Sequence, residues 1–270
     1  MIDTLILSGA SSKGISYIGI LYELNKYNII NKKKIKNIIS CSSGSIFGFM
    51  YLLDFNTNMM YKIMKNIDII NIKNFKETDM FINNGIINND NIYNTLKICL
   101  KHKYNKLDIT FKELFDITKI KFIIKVFNLS LNKEQYFSYV NKPNMSILKT
   151  IQMSTCIPII FKPIKYNNNY YIDGGIRNSI PFIKNKIYKN HLIIIISELN
   201  IKKINYYDLD IMNYFNNILK ISMSNNKKNN KKILNIFINM SIIEFNIKNI
   251  DDILIDSIKQ TNNHILKYYL

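Results

Sequence analysis

The sequence has one alanine (Ala10), one arginine (Arg177) and no tryptophan among 270 residues, with only eight glycines and four prolines. That scarcity excludes collagen-like and Gly/Pro-rich low-complexity chains. A lone arginine argues against a nucleic-acid reader, because bidentate recognition of guanine relies on guanidinium groups. The three cysteines (Cys41, Cys99, Cys156) are odd in number and lack metal-ligand spacing, which disfavours a disulfide framework and favours a reducing compartment. Three scattered histidines (His102, His191, His264) make no local metal motif. No apolar run approaches the ~18 residues that cross a bilayer. Asp3 and the polar stretch Ser8 to Lys13 break up the N-terminal segment, so no signal peptide is expected either. The expectation is an intracellular protein, cytoplasmic or peripherally membrane-bound.

What the chain does contain is 57 Ile, 41 Asn and 36 Lys. These residues have AT-rich codons, whereas Ala, Gly and Pro need GC-rich ones. Drift of that kind accounts for much of the net charge of +18 without a dedicated acidic partner, and no nucleic acid is expected. A hydrophobic content of 47% is ample for a core. Without an internal repeat or a convincing linker, the chain reads as one domain over 1–270. Its motif-bearing part covers about 4–200, and a strand and helix extension covers 201–270.

Under such drift the scarce residues are informative, and they cluster. Gly9, Gly14 and Gly19 lie together with Ala10; Gly44 and Gly48 form a second group; Gly174 and Gly175 form a third, with Arg177 inside it and Pro158, Pro163 and Pro181 around it. Thr4 to Leu7 reads as a buried strand, followed by a helix from Gly14. Ile35 to Cys41 reads as a second strand and Ser43 to Leu53 as an apolar helix. Two strand-turn-helix units in succession predict an α/β fold: three layers, with a central, mostly parallel sheet flanked by helices. Phe55 to Asn105, carrying Met59, Met60, Met64 and Met80, looks less regular. Its Met- and Asn-rich part, near residues 55–90, reads first as core methionines among polar loops, and second as an adaptable mouth to a pocket. Further helices are predicted near Phe111–Thr118 and Ser146–Ser154, and strands near Lys121–Asn128 and His191–Ser197. A basic surface loop is predicted over Ser222–Lys232, and a terminal helix capped by Asp251 and Asp252 with Leu254, Ile258 and Ile265 on one face.

Each cluster has a chemical reading. Ser40-Cys41-Ser42-Ser43-Gly44, between strand and helix, is the nucleophile-elbow pattern G-x-S-x-G with Ser40 in the first glycine slot. Such a turn admits only small residues two before and two after the serine, and it aims the helix N-terminus at the reacting carbonyl. Gly9-Ala10-Ser11-Ser12-Lys13-Gly14 also joins strand to helix, but its spacing fits neither a Walker loop nor a dinucleotide fingerprint. It reads better as an oxyanion hole beside the elbow. Lys13 is a candidate anion contact there, or simply a solvated lysine. Asp173-Gly174-Gly175 alone is an ordinary turn, but a serine nucleophile still lacks a base.

In this order the three clusters resemble the patatin-like phospholipase family. Met153-Ser154-Thr155-Cys156-Ile157-Pro158 through Phe161-Lys162-Pro163 resembles the segment that precedes that family's Asp-Gly-Gly, and Thr110 to Leu114 resembles a family helix. Departures are Ala10, Ser11 and Ser40 where the family usually has glycine. The resemblance implies a phospholipase A-type acyl hydrolase acting on phospholipid or related acyl-lipid esters, with peripheral membrane contact and no metal or cofactor. It implies Ser42 as nucleophile and Asp173 as general base, a dyad without histidine. The oxyanion hole would come from Gly9, Ala10, Ser11 and Ser12. Ser40, Gly44, Gly14, Gly174 and Gly175 would be the supporting small residues. Two other readings stand beside it: a histidine-dependent α/β-hydrolase using Ser42, Asp173 and His191 or His264, and a basic membrane- or nucleic-acid-binding protein with degenerate motifs.

Overall fold

The structure, a computed structural model, describes residues 1–65, 88–182, 188–199, 211–223, 228–240 and 250–270. Strand β1 (Thr4–Leu7) pairs in parallel with β2 (Asn37–Cys41), Leu7 opposite Ser40. Between them a 3-10 turn (Ser11–Ser16) leads into α1 (Tyr17–Lys26). The predicted helix from Gly14 therefore starts one turn late. The tighter turn keeps the loop pressed on the start of α2 (Ser43–Leu52), where Gly14 sits against Ser43.

Beyond α2, the irregular stretch expected over Phe55–Asn105 is corrected. Thr57–Lys65 forms α3 and Asp90–Tyr104 forms α4, while Met80 lies outside the described residues. Their apolar stripes, diluted by Asn and Lys, become legible only once Met60, Met64, Leu96 and Leu100 are seen buried. Helix α5 (Phe111–Thr118) opens with a capping box between Thr110 and Glu113, and α6 (Ile147–Ser154) with a Ser146 cap.

Strand β3 (Lys121–Asn128) pairs in parallel with β2, Cys41 opposite Lys125. It turns back as antiparallel β4 (Lys133–Phe137). A hairpin of β5 (Ile164–Tyr166) and β6 (Asn169–Ile172) adds antiparallel to β3, with Ile172 opposite Phe127 and Tyr171 opposite Asn128. β7 (His191–Glu198) pairs in parallel with β1, and β8 (Ile233–Ile238) with β7. The order is β5-β6-β3-β2-β1-β7-β8, with β4 on β3. β2 and β4 both oppose Ile124 and Lys125, and β4 and β6 both oppose Phe127 and Asn128. Two strands cannot share one edge at one residue, so β2 and β6 lie end to end along the same edge of β3.

The core follows from alternation. Leu5, Leu7, Ile38, Ile124 and Ile194 join the helices in one large cluster, while Ile6, Ile39, Ile123, Ile193 and Ile195 face the other way, covered by Ile180 and Tyr188. Full burial of each such side chain stabilises by roughly 1.5–3 kcal/mol. The C-terminal extension is part of this sheet through β8. Helix α7 (Ile211–Met223) includes Ser222 and Met223 of the expected loop, of which residues 228–232 are exposed. The last helix, α8 (Ile250–Tyr268), carries Asp251 and Asp252 in its first turn as expected. Its buried face is more polar than expected, made of Ser257, Thr261, His264 and Ile265. A Cβ on Gly19 would stand 2.2 Å from Ser257 Oγ, so α1 and α8 pack this closely because both present small residues.

Candidate active site

Ser42 is the residue between the end of β2 and the start of α2, with φ 50° and ψ −128°. A non-glycine residue held there costs on the order of 1–3 kcal/mol and persists only where its surroundings enforce it. The enforcing groups are identifiable. Gly44 backs onto the end of β1 so closely that a Cβ would lie 2.6 Å from Ser8 O and 2.7 Å from Leu7 O. The Ser42 N–H donates to Ser154 Oγ (2.8 Å), whose hydroxyl donates to Lys125 O (2.6 Å). Fully buried Ser40 fills the elbow's first glycine slot because its hydroxyl has partners, Ser45 Oγ at 3.0 Å and Ile123 O at 3.3 Å.

Asp173 follows β6. Its N–H donates to Cys156 O (2.7 Å) and that of Gly174 to Ser154 O (3.1 Å), so the segment between α6 and β5 anchors the turn. The Ser42 hydroxyl donates to Asp173 Oδ2 at 2.6 Å, and the Gly175 N–H to Oδ1 at 2.6 Å. Asp173 is 1% exposed. Burial lifts its pKa from 3.8 to about 6, against the pull of the Ser42 hydroxyl, the Gly175 N–H and the Lys125 charge.

The Gly9–Gly14 loop runs alongside. Ala10 N–H donates to Ser43 Oγ (3.0 Å) and Gly9 N–H to Ser179 O (2.9 Å). Of the four residues expected to supply an oxyanion hole, these two thus have internal acceptors here. Ser11, at φ 53°, and Ser12 line the cleft beside Ser42 and Ser43. Lys13 is buried at 3% exposure, which removes the reading of it as a solvated lysine. The cleft is walled by apolar side chains, among them Ile15, Ile46, Phe47, Met64, Ile157 and Phe161. Of the predicted adaptable mouth, Met64 reaches this wall.

Neither histidine proposed as an alternative base is near. His191 opens β7 opposite Thr4, whereas Leu7, at the far end of β1, opposes Ser40. His264 is buried against the rings of Tyr268 and Tyr269, whose hydroxyls bond Asn229 O and Lys231 O ahead of β8. Both sit at the N-terminal ends of the parallel strands, and Ser42 sits at the C-terminal end. Sequence reasoning missed two contributors. Ser154 stood in a quoted motif with no role assigned. Lys125 was hidden among 36 lysines, although its place within Phe122-Ile123-Ile124-Lys125-Val126-Phe127 was a signal.

Comparisons with known proteins fit this geometry. The family model described as patatin-like phospholipase matches residues 5–184. The chain is 37% identical over 181 residues to a protein named probable lipid hydrolase 463L of Invertebrate iridescent virus 6, across 66% of this chain and 61% of that protein. It thus spans about three-fifths of that relative's length. Among solved structures, VipD from Legionella pneumophila superposes with a TM-score of 0.66 at 14% identity, covering 99% of this chain and 67% of that one. ExoU from Pseudomonas aeruginosa, solved with SpcU, gives 0.53 at 12% identity, covering 98% and 52%. At these identities the two structures establish a shared fold.

Proposed function

The chain belongs to the patatin-like phospholipase family, and on that premise we propose that it is a lipid acyl hydrolase of phospholipase A type with Ser42 as nucleophile and Asp173 as general base. One observation carries the reading: the 2.6 Å bond from Ser42 Oγ to Asp173 Oδ2 beside an apolar cleft. A serine and an aspartate at two turns have no structural need for a strained backbone at the one and a buried carboxylate at the other. A nucleophile and its base do.

In the proposed reaction Ser42 Oγ attacks the carbonyl carbon of a carboxylic ester while its proton passes to Asp173 Oδ2. The tetrahedral oxyanion is received by backbone N–H groups of the loop around Ala10, Ser11 and Ser12, for which Ser43 Oγ must release the Ala10 N–H. Collapse expels the alkoxide, which takes the proton from Asp173 and leaves as an alcohol. Water then attacks the acyl-enzyme with Asp173 again taking a proton, and the fatty acid departs with Ser42 restored. A carboxylate with its pKa near 6 is a better base at neutral pH than one near 3.8, and each oxyanion donor contributes ~3–4 kcal/mol. The apolar walls suit an acyl chain, and the name of the viral relative points to lipid. Among the described residues no helix is long and apolar enough to cross a membrane.

The test pairs a fluorophosphonate serine probe with release of fatty acid from defined phospholipid vesicles. Labelling should vanish in Ser42→Ala, and hydrolysis should fall by roughly 10²–10⁴-fold in Asp173→Asn. Folded wild-type protein that neither labels nor hydrolyses would sink the reading.

A further inference from the structure

Lys125 occupies the middle of β3, and its side chain is 1% exposed. Burying an ammonium costs several kcal/mol unless it is paired and hydrogen-bonded. Drift toward lysine supplies surface lysines, not this one. Its Nζ donates to Asn178 O at 2.7 Å and meets Glu134 Oε1 at 2.8 Å from the adjacent strand β4.

The position matters more than the pairing. β2 and β6 run toward each other along one edge of β3, and Lys125, opposite Cys41, lies where they meet. Its carbonyl accepts the hydroxyl of Ser154, which holds the Ser42 N–H. The same carbonyl stands 2.2 Å from where a Cβ on Gly174 would be. Its ammonium holds Asn178, five residues past Asp173. The loop 173–178 is thus fastened at its start by Asp173 N–H to Cys156 O and at its end by Lys125.

Resting on the Ser42–Asp173 reading, we infer that Lys125 is a positioning residue for the reaction: it ties down the loop that carries the base and places a buried positive charge beside it. Glu134 tempers that charge as its counter-ion. The other titratable groups around the pair are Cys41 on β2 and Cys156 ahead of β5, both thiols pushed far up by burial and therefore neutral. Tyr136 on β4 is raised in the same way. The charge of Lys125 acts directly on Asp173, in the direction that favours the carboxylate.

The experiment measures kcat/KM against pH on a water-soluble p-nitrophenyl ester for wild type, Lys125→Met, Lys125→Arg and Glu134→Gln, with circular dichroism to check folding. In Lys125→Met the acid limb should move to higher pH by roughly one unit, with kcat lowered and KM little changed. Lys125→Arg should keep the limb near the wild-type position. Glu134→Gln should displace it to lower pH, because the lysine charge is then less compensated. A folded Lys125→Met with a wild-type acid limb overturns the inference. Should Lys125→Met fail to fold, an unmoved limb in Glu134→Gln overturns it instead. Wild type inert toward both the ester and a fluorophosphonate would fail the dyad itself, a distinct outcome.

Discussion

Ser42 and Asp173 face each other because their strands collide: β2 and β6 run in opposite directions along one edge of β3, and each residue is the first beyond its strand's end. Counting on from the pairs Cys41–Lys125 and Ile172–Phe127, both arrive at the level of Val126. The 2.6 Å bond between Oγ and Oδ2 is the outcome of sheet registration, not of either loop alone.

Hydrolysis should follow the ionisation of Asp173. Only the carboxylate accepts the serine proton, so the rate should rise with pH through about 6 and level above it. Initial rates across pH 4 to 8 on a soluble ester would check this, and Asp173→Asn should lower the plateau rate above pH 6 by roughly 10²–10⁴-fold, the deficit shrinking as the wild-type rate falls along its acid limb. An acid limb near 4 would mean that burial does not perturb the base.

The same shift carries a cost in stability. Between 3.8 and about 6 the folded protein binds a proton at Asp173 that the unfolded chain has released, so ionised Asp173 opposes folding above that window and the penalty fades as pH falls through it. Asp173→Asn should therefore be more stable than wild type at pH 8, by on the order of 2 kcal/mol. Urea unfolding should show that gain shrinking to nothing by pH 4.

His264 should act in the opposite sense and only on stability. Burial lowers its pKa from 6.5 to about 4, so on acidification the unfolded chain gains a proton before the folded protein does. Its contribution is intact above 6.5 and is lost as pH falls toward 4. His264→Leu should flatten the acid side of a melting-temperature profile while kcat stays near wild type. A loss of several orders of magnitude in activity would instead revive a histidine base.

Gly174 tests the registration directly. A methyl group there meets Lys125 O at 2.2 Å, and neither backbone can yield without moving Asp173 or β3. Gly174→Ala should cost ~1–3 kcal/mol in stability and, since a displacement of about 1 Å at a reacting group costs ~100-fold, at least that much in kcat. Folded protein with wild-type kcat would show that the turn tolerates a shift.

Much of the site was legible before any coordinates. Small residues at Ser40, Ser42 and Gly44 between an apolar strand and an apolar helix mark a sharp turn whatever surrounds it, because the constraint is local and steric. The parallel sheet was legible from the strand and helix periods. Less legible were α3 and α4, whose stripes are thinned by Asn and Lys. Hidden altogether was Lys125, since the drift that makes a glycine informative makes a lysine unremarkable. The histidines show the limit from the other side: chain order permitted them as bases, and only the sheet puts them at its opposite end.

By itself the sequence determined where the backbone had to be tight: at the loop after β1, at the elbow and at Asp-Gly-Gly, three places where drift had spared small residues. Tertiary structure alone decided that two of these turns meet. Local sterics act over a few residues and are written in them, whereas the pairing of Ser42 with Asp173, 131 residues apart, depends on β6 docking where β2 stops. A buried lysine between the two was decided there as well, because its burial and charge acquire meaning only once the strands are in register.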